Sequence, residues 1–247
     1  MQVQTLNNTA TLQTHTQNTK KATNELSSGK KDLSLDPAMM MIAQALLSDA
    51  TVFSQGIQNA NESVAMLQIA DGTMQNISQS TADLAALNVR YNSAALNSDQ
   101  KAMLSQEFSA QVSAIDDMMQ SSSYNGMSLF GKSVTTSLGD ATLSTTIPSL
   151  DTSTLEIGNS DALEAFTKAL TMAQSEVGSG INALSSATKN LFTQKSTTLS
   201  SYSQIADADI AQSVSDLQKS DLLMQSATLA QANSNKLDTN RVLALLA

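Results

Sequence analysis

A long helical repeat near the C-terminal end constrains the fold more than any other feature of this sequence. Between residues 163 and 205, apolar or small side chains recur at alternating steps of three and four, which is the spacing of a coiled-coil seam. No proline interrupts the stretch, so one continuous helix would extend about 65 Å at 1.5 Å per residue. The seam consists of Leu163, Phe166, Leu170, Ala173, Val177, Ile181, Leu184, Ala187, Leu191, Gln194, Thr198, Tyr202 and Ile205. A helix of this length needs a partner of matching length.

A second seam of the same spacing runs from Phe53 to Tyr91, and a short middle segment separates the two. The middle segment contains an Asn125-Gly126 turn signal, followed by β-prone runs at 133–136 and 141–147. We therefore predict a mainly α fold. It is an elongated, coiled-coil-like helical bundle whose N- and C-terminal segments are paired, with a small β-hairpin region at about residues 124–158.

Composition narrows the functional classes. The net charge of −9 and a pI near 4.4 argue against a nucleic-acid partner, because phosphates require a basic face. Only 14% of the residues are charged, so the polar faces are mostly neutral and can pack against other subunits at a lower desolvation cost. The absence of cysteine excludes disulfides and thiol nucleophiles. These properties favour a self-associating surface.

The N-terminus shows no charged region followed by an apolar run, so we expect no cleavable signal peptide. No window of 18 apolar residues occurs, so we expect no membrane insertion. An extracellular location would require an export route that does not recognise a cleavable signal peptide.

Two breaks divide the predicted helices. Gly29 is a plausible helix stop, and Pro37 favours an extended residue before it and a helix start after it. Around residues 205–210 the C-terminal seam changes phase, which puts a second joint opposite the first if the termini run together. We predict a terminal helical-hairpin domain of residues 1–36 plus 206–247, and a helical rod domain of residues 37–205.

The apolar stripes of the terminal segments, residues 1–31 and 210–246, have too little partner surface within one chain. We therefore predict that these stripes form the interface between copies of the protein. The predicted interface residues are Leu6, Leu26, Ile210, Val214, Leu217, Met224, Leu229, Leu237, Val242 and Leu246.

No residue constellation indicates catalysis, a cofactor or a metal site. His15 is the lone histidine and is interpreted as a bystander, and Met39–Met41 are interpreted as core packing because no His or Cys is nearby. The carboxylate pairs at 116–117 and 207–209 match no calcium loop and are interpreted as solvated faces or caps. Close-packing sites are predicted at Gly72, Gly178 and Gly180. We predict that the protein is not an enzyme.

Short motifs at both ends resemble those of bacterial flagellin. They cover most of residues 1–130 and 175–247 and follow the family's order. The motifs are Leu26-Ser27-Ser28-Gly29, Asn59-Ala60-Asn61-Glu62-Ser63, Leu67-Gln68-Ile69-Ala70-Asp71-Gly72, Tyr124-Asn125-Gly126, Ile205-Ala206-Asp207-Ala208-Asp209, Leu229-Ala230-Gln231-Ala232-Asn233 and Val242-Leu243-Ala244-Leu245-Leu246. The sequence departs from the family pattern at the first joint, where Glu25 and Lys30 stand in place of arginines.

The resemblance implies a structural subunit of the extracellular bacterial flagellar filament, which polymerises for motility through terminal helices that are disordered in the free subunit. It implies export by the flagellar type III apparatus, and a flagellin chaperone and hook-associated proteins as partners. Only about thirty residues separate Phe130 from Asp161, which implies a short flagellin without outer variable domains. The alternative is a secreted flagellin-like protein that acts as a soluble effector or minor filament component. A filament-junction protein is a third class.

Deletion of residues 241–247 tests the terminal-stripe hypothesis. We expect the truncated protein to lose polymerisation, because the deletion removes the last apolar positions of the C-terminal stripe. Sedimentation and negative-stain electron microscopy measure the polymer. Normal polymerisation of the truncated chain would contradict the hypothesis.

Overall fold

The computed structural model describes the backbone of residues 2–33 and 36–246, and the side chains of residues 10–33 and 36–232. The helices in this part of the chain are α1 (Gln2–Ser28), α2 (Pro37–Tyr91), α3 (Ser98–Ser121), α4 (Ser160–Ala206) and α5 (Ile210–Leu246). The strands are β1 (Ser123–Tyr124), β2 (Met127–Ser128), β3 (Lys132–Ser137) and β4 (Thr142–Ile147). β1 pairs with β2 and β3 with β4, both antiparallel. The predicted mainly α fold with hairpins in mid-chain is confirmed.

The chain forms two compact units. The terminal unit comprises residues 1–48 and 197–247, and the central unit comprises residues 49–196. These boundaries fall inside α2 and α4, whereas the predicted domain boundaries fall at the helix breaks. The division into residues 1–36 plus 206–247 and residues 37–205 stays a prediction.

Aliphatic seams on the long helices form the core of the central unit. The apolar residues of the predicted α2 seam, and those of the predicted α4 seam from Leu163 to Leu191, belong to one hydrophobic cluster, together with the buried face of α3. The largest fully buried side chains are Leu67, Met74, Ile77, Leu84, Ile115, Ile147, Leu170, Val177 and Leu184. The predicted α4 seam is confirmed as far as Leu191. It is wrong at Gln194, whose side chain is exposed while Lys195 is half-buried.

The hairpins close the central unit against the helices. Asn125 and Gly126 both adopt positive φ, as the two-residue turn between β1 and β2 requires. In the second hairpin, the buried Thr136 hydroxyl donates to Ser63 Oγ of α2 at 2.6 Å. Asn59 Nδ2 of α2 donates to the backbone carbonyl of Ser137 at 3.0 Å. These bonds satisfy polar groups of a strand pair that would be marginal alone.

Glycines allow the second hairpin to approach the helices closely. A β-carbon on Gly180 of α4 would overlap the Thr145 side chain, and one on Gly56 of α2 would lie 3.0 Å from the Leu138 carbonyl carbon. Close packing is therefore confirmed at Gly180, but the neighbour is a strand and not the predicted helix. The prediction is wrong at Gly72 and Gly178, where a β-carbon would meet no atom of the described residues within 4 Å.

Two glycines on the same helix give opposite stability predictions. Gly180→Ala is expected to destabilise the central unit by about 1 kcal/mol, because overpacking against Thr145 costs roughly 1–3 kcal/mol and exceeds the gain in helix propensity. Gly178→Ala, the matched control, should stabilise by about 0.4–1 kcal/mol. Urea unfolding followed by circular dichroism measures both. Equal shifts for the two variants would show that Thr145 does not constrain the site.

Candidate subunit interface

Backbone hydrogen bonds join residues 29–31, just after α1, to residues 206–208, just before α5, and we call this connection the joint. α1 ends at Ser28, and Gly29 then takes a positive φ of 66°, which glycine adopts without a steric penalty. The Lys31 N–H donates to the Ala206 carbonyl at 2.8 Å, and the Ala208 N–H donates to the Gly29 carbonyl at 3.0 Å. This antiparallel bridge places the end of α1 beside the start of α5.

Side chains complete the same joint. Lys30 Nζ donates to Asp207, which also accepts from the Ser203 hydroxyl, and the ammonium lies 4.9 Å from the centroid of the Tyr202 ring. The hydrogen bond from Lys30, followed by that from Ser203, lowers the pKa of Asp207, and the bond to Asp207 raises the pKa of Lys30. Asp209 caps α5 by accepting from the Gln212 N–H at 3.1 Å. Both carboxylates therefore have structural partners, as the sequence interpretation of this pair as caps or surface groups suggests.

The two terminal helices meet along a seam that contains few large apolar side chains. On α1, the buried and half-buried positions again follow steps of three and four, and the facing positions of α5 do the same. The α1–α5 seam consists of Leu12, His15, Thr19, Ala22 and Leu26 on α1, and Ser213, Leu217, Ser220, Met224, Ala227 and Gln231 on α5. Ser and Ala at its most buried positions leave little apolar area to stabilise the pair.

Two buried polar atoms weaken this seam further. His15 Nδ1 and Thr19 Oγ1 are buried without a hydrogen-bond partner among the described residues. An unpaired buried polar group costs about 1–3 kcal/mol. His15 is half-buried in the α1–α5 seam, whereas the sequence interpretation gives it no role. The terminal helices are held together less firmly than the helices of the central unit.

A second apolar surface of α5 has no covering within the described part of the chain. At about 100° per residue, Leu222 and Leu229 lie on the side of α5 opposite the seam, with Val214 beside them, whereas Ile210 lies nearer the edge of the seam. We call Val214, Leu222 and Leu229 the outer α5 face. Leu222 and Leu229 are 65% and 66% exposed, and Ile210 and Val214 are also exposed. α5 is thus apolar on two sides.

The structure divides most of the predicted interface residues between these two surfaces. Leu26, Leu217 and Met224 are half-buried in the α1–α5 seam, Val214 and Leu229 are exposed on the outer α5 face, and Ile210 is exposed near the edge of the seam. The remaining predicted residues, Leu6, Leu237, Val242 and Leu246, lie outside the side chains that the structure describes. Their role in an interface stays a prediction.

Sequence reasoning missed two exposed apolar groups in the terminal unit. A single three-four stripe on α5 does not include Leu222, whereas two adjacent leucines, Leu222-Leu223, cannot share one narrow stripe and indicate a second apolar side. The core interpretation of Met39–Met41 is wrong, because these side chains are 43%, 50% and 71% exposed. Three successive apolar residues point to different sides of a helix, and that was the signal for a surface with more than one neighbour.

Three hydroxyls on the exposed side of α1 are satisfied within the helix, and the sequence before Lys20 is uncharged. No Asp, Glu, Lys or Arg occurs before Lys20. The hydroxyls of Thr14, Thr16 and Thr23 each donate to the carbonyl four residues earlier, at 2.8–3.0 Å. Because these groups have partners within the helix, another protein surface can cover them with a small desolvation cost.

The described residues contain no group of three or more His, Cys, Asp and Glu side chains arranged to hold a metal ion. One member of the predicted carboxylate pair at 116–117 anchors a loop, since Asp116 Oδ1 accepts from Thr152 Oγ1 at 2.6 Å. Among the helices in the described ranges, none combines the length and apolar character of a membrane span.

Comparison with known proteins identifies related sequences. The family model described as "Bacterial flagellin N-terminal helical region" matches residues 1–135, and that described as "Bacterial flagellin C-terminal helical region" matches residues 160–246. "Secreted flagellin C" of Campylobacter jejuni is 34% identical over 201 residues, which are 81% of this chain and 80% of the relative. "Flagellin" of Listeria innocua is 23% identical over 86% of this chain and 87% of the relative. A crystal structure of Bacillus cereus flagellin is 19% identical and covers 57% of this chain and 88% of its own, with a TM-score of 0.43.

Substitution of Asp207 tests the joint. We expect Asp207→Asn to speed amide exchange at Lys31 and Ala208 several-fold at pH 7, because the ion pair holds the backbone bridge closed. The folded pKa of Asp207 is lowered, so its contribution is present above the unfolded pKa of about 3.9 and is lost as the pH falls through the folded value. Wild-type exchange should therefore approach that of the variant in acid, after correction for the intrinsic rate.

Asp216→Asn is the matched control. Asp216 accepts a hydrogen bond from the Gln212 side chain within α5, so this substitution removes the same charge without changing the joint. Amide exchange measured by NMR distinguishes the two variants. Similar exchange in both would mean that the charge, and not the joint, is responsible.

Proposed function

This chain belongs to the bacterial flagellin family, and on that premise we propose that its terminal unit makes the contacts between copies in a flagellar filament. Flagellins are structural proteins that polymerise into the extracellular flagellar filament, and this chain is a subunit of that kind. The observation that carries the proposal is the outer α5 face, an apolar surface that nothing in the described part of the chain covers. No enzymatic step belongs to this function.

Burial of the outer α5 face supplies the driving force. Full burial of a leucine side chain contributes roughly 1.5–3 kcal/mol. Leu222 and Leu229 are two-thirds exposed in the single chain, so most of that free energy becomes available only when another copy covers them. The α1–α5 seam is too polar to compensate within one chain, and packing between copies would therefore also stabilise the helix pair.

The charge distribution supports association through the same unit. Residues 1–48 and 197–247 contain seven basic and eight acidic side chains, whereas residues 49–196 contain six basic and fourteen acidic ones. The net charge of −9 therefore divides into −1 for the terminal unit and −8 for the central unit. Identical copies repel one another least through a nearly neutral surface. Contacts between terminal units avoid most of that repulsion.

The accompanying partners belong to the same proposal. We assign export to the flagellar type III apparatus, and we include a flagellin chaperone and hook-associated proteins among the partners. The weak α1–α5 seam suits a chain that must open for export, because little free energy is needed to separate the two helices. A chaperone would shield the same apolar surfaces before assembly.

A second candidate function is that of a secreted protein that acts in soluble form or as a minor filament component. Its support is the name of the Campylobacter jejuni relative, "Secreted flagellin C". Detection of the chain in sheared filaments or in culture supernatant distinguishes the two functions. Filaments composed of this chain support the first, and monomer confined to the supernatant supports the second.

Substitution of the outer α5 face tests the filament proposal. We expect Leu222→Gln with Leu229→Gln to raise the critical concentration for polymerisation at least about tenfold, since roughly 1.4 kcal/mol corresponds to a factor of ten. The helical content of the monomer should not change, because both side chains point away from the seam. Sedimentation of polymer and circular dichroism of monomer measure the two effects.

The matched control changes the inner side of the same helix. Leu217→Gln with Met224→Gln should weaken the α1–α5 seam and lower the helical content of the monomer as well as polymerisation. If the outer pair left the critical concentration unchanged, the proposed contact would be wrong.

A further inference from the structure

A collar of exposed apolar side chains surrounds the first turns of α2. Met39, Met40, Met41 and Ile42 are 43%, 50%, 71% and 48% exposed, and we call these four residues the methionine collar. At about 100° per residue, four consecutive side chains point to all sides of the helix. No residue from Pro37 to Ser48 is charged. An exposed helical stretch that is neutral and apolar all round is unusual for a surface in contact with water.

Among the described residues, neighbours cover only one side of this helical stretch. Met40, Ala43 and Leu47 line a groove beside the joint, whose other wall includes Tyr202 and Ala206. Ala43 is buried on this side. The opposite side consists of Ala38, Met41, Ile42 and Ala45, all exposed. The most exposed methionine therefore lies on the side for which the described part of the chain provides no partner.

The start of α2 holds this surface in place. Asp36 Oδ1 accepts from the Met39 N–H at 3.0 Å, and the Asp36 carbonyl accepts from the Met40 N–H at 3.0 Å. Pro37 occupies the first helical position, where its fixed φ suits a helix start. The exposed side is thus carried by a capped helix and needs no folding step before it can be covered.

We propose that the outer side of the methionine collar is a docking surface for a second copy of this chain, separate from the outer α5 face. The proposal rests on the proposed function, because it adds a contact to the same polymer. Residues 37–48 lie in the terminal unit, which carries a net charge of −1 against −8 in the central unit, so an identical copy meets little repulsion there. The presence of two different apolar surfaces on one unit permits head-to-tail contacts that propagate into a filament.

Methionine itself suits this contact. Its unbranched, polarisable side chain adapts to an irregular partner surface, and several adjacent methionines can fit a neighbour without exact matching of shape. Thioether chemistry also makes the contact measurable. Hydrogen peroxide transfers one oxygen atom to an accessible methionine sulfur, which gives the sulfoxide, and the peroxide is reduced to water.

A peroxide footprint of monomer and polymer tests the docking surface. We expect the oxidation rate of Met41, read by mass spectrometry of peptides, to fall at least tenfold on assembly of the wild-type chain. Met103, Met127 and Met172 of the central unit are 69%, 58% and 63% exposed and provide internal references of similar accessibility. Equal oxidation of Met41 in monomer and polymer would overturn the docking surface alone. Failure of the wild-type chain to polymerise at all would overturn the proposed function, and the docking surface with it.

Variants provide a second test that does not depend on the chemical probe. Met41→Gln with Ile42→Gln should raise the critical concentration about tenfold, whereas Met41→Leu should assemble like the wild type, because leucine keeps the apolar contact. Met103→Gln is the matched control, a similarly exposed methionine placed in the central unit. Circular dichroism confirms that each monomer keeps its helical content. An unchanged critical concentration in the double variant would overturn the docking surface.

Discussion

Pairing of helices along three-four seams is the constraint on which the rest of this structure depends, and the composition of the seams separates the two units. In the central unit the seams contain Leu, Ile, Met and Phe, and many of these side chains are fully buried. In the terminal unit the same spacing carries Ser and Ala at the most buried positions, with half-buried Leu, Met, Thr and His between them, and two polar atoms are buried without partners among the described residues. One rule of helix packing therefore produces a self-sufficient core and a helix pair that gains stability from further contacts.

Charge follows the same division. The acidic excess lies in the central unit, where water can solvate it, and the terminal unit is nearly neutral. The outer α5 face and the methionine collar, two apolar surfaces that the described residues leave open, both belong to the neutral unit. Hydrophobic attraction acts only at short range, whereas charge repulsion extends over about 8–10 Å. Because the apolar surfaces and the acidic excess belong to different units, copies can approach through the apolar surfaces while the acidic residues keep the monomer soluble.

Periodicity predicted where helices bury a stripe, but it did not identify what covers the stripe. The seams of α2 and α4, the stop at Gly29 and the Asn125-Gly126 turn could be predicted because each depends on local chemistry. The outer α5 face does not follow from the spacing, because a three-four repeat predicts one stripe and α5 has two apolar sides. Apolar composition predicts a core position for Met39–Met41, but a sequence does not reveal whether the neighbour is the same chain or another copy. The role of a helical glycine is ambiguous in the sequence for a similar reason, because only the structure shows that Thr145 lies close to Gly180 and not to Gly178.

A filament subunit and a soluble secreted protein differ in one measurable quantity, the critical concentration for polymerisation, which is low for the first and high for the second. Association costs an estimated 4–15 kcal/mol in lost freedom of motion, and only apolar burial beyond that cost gives a polymer. Leu222, Leu229 and Met41 are each more than half exposed, so covering them would add several kcal/mol at roughly 1.5–3 kcal/mol per large side chain. A protein that stays monomeric gains nothing from such surfaces and is exposed to unspecific aggregation through them. Their retention on the neutral unit is therefore easier to reconcile with a subunit whose working state is the polymer.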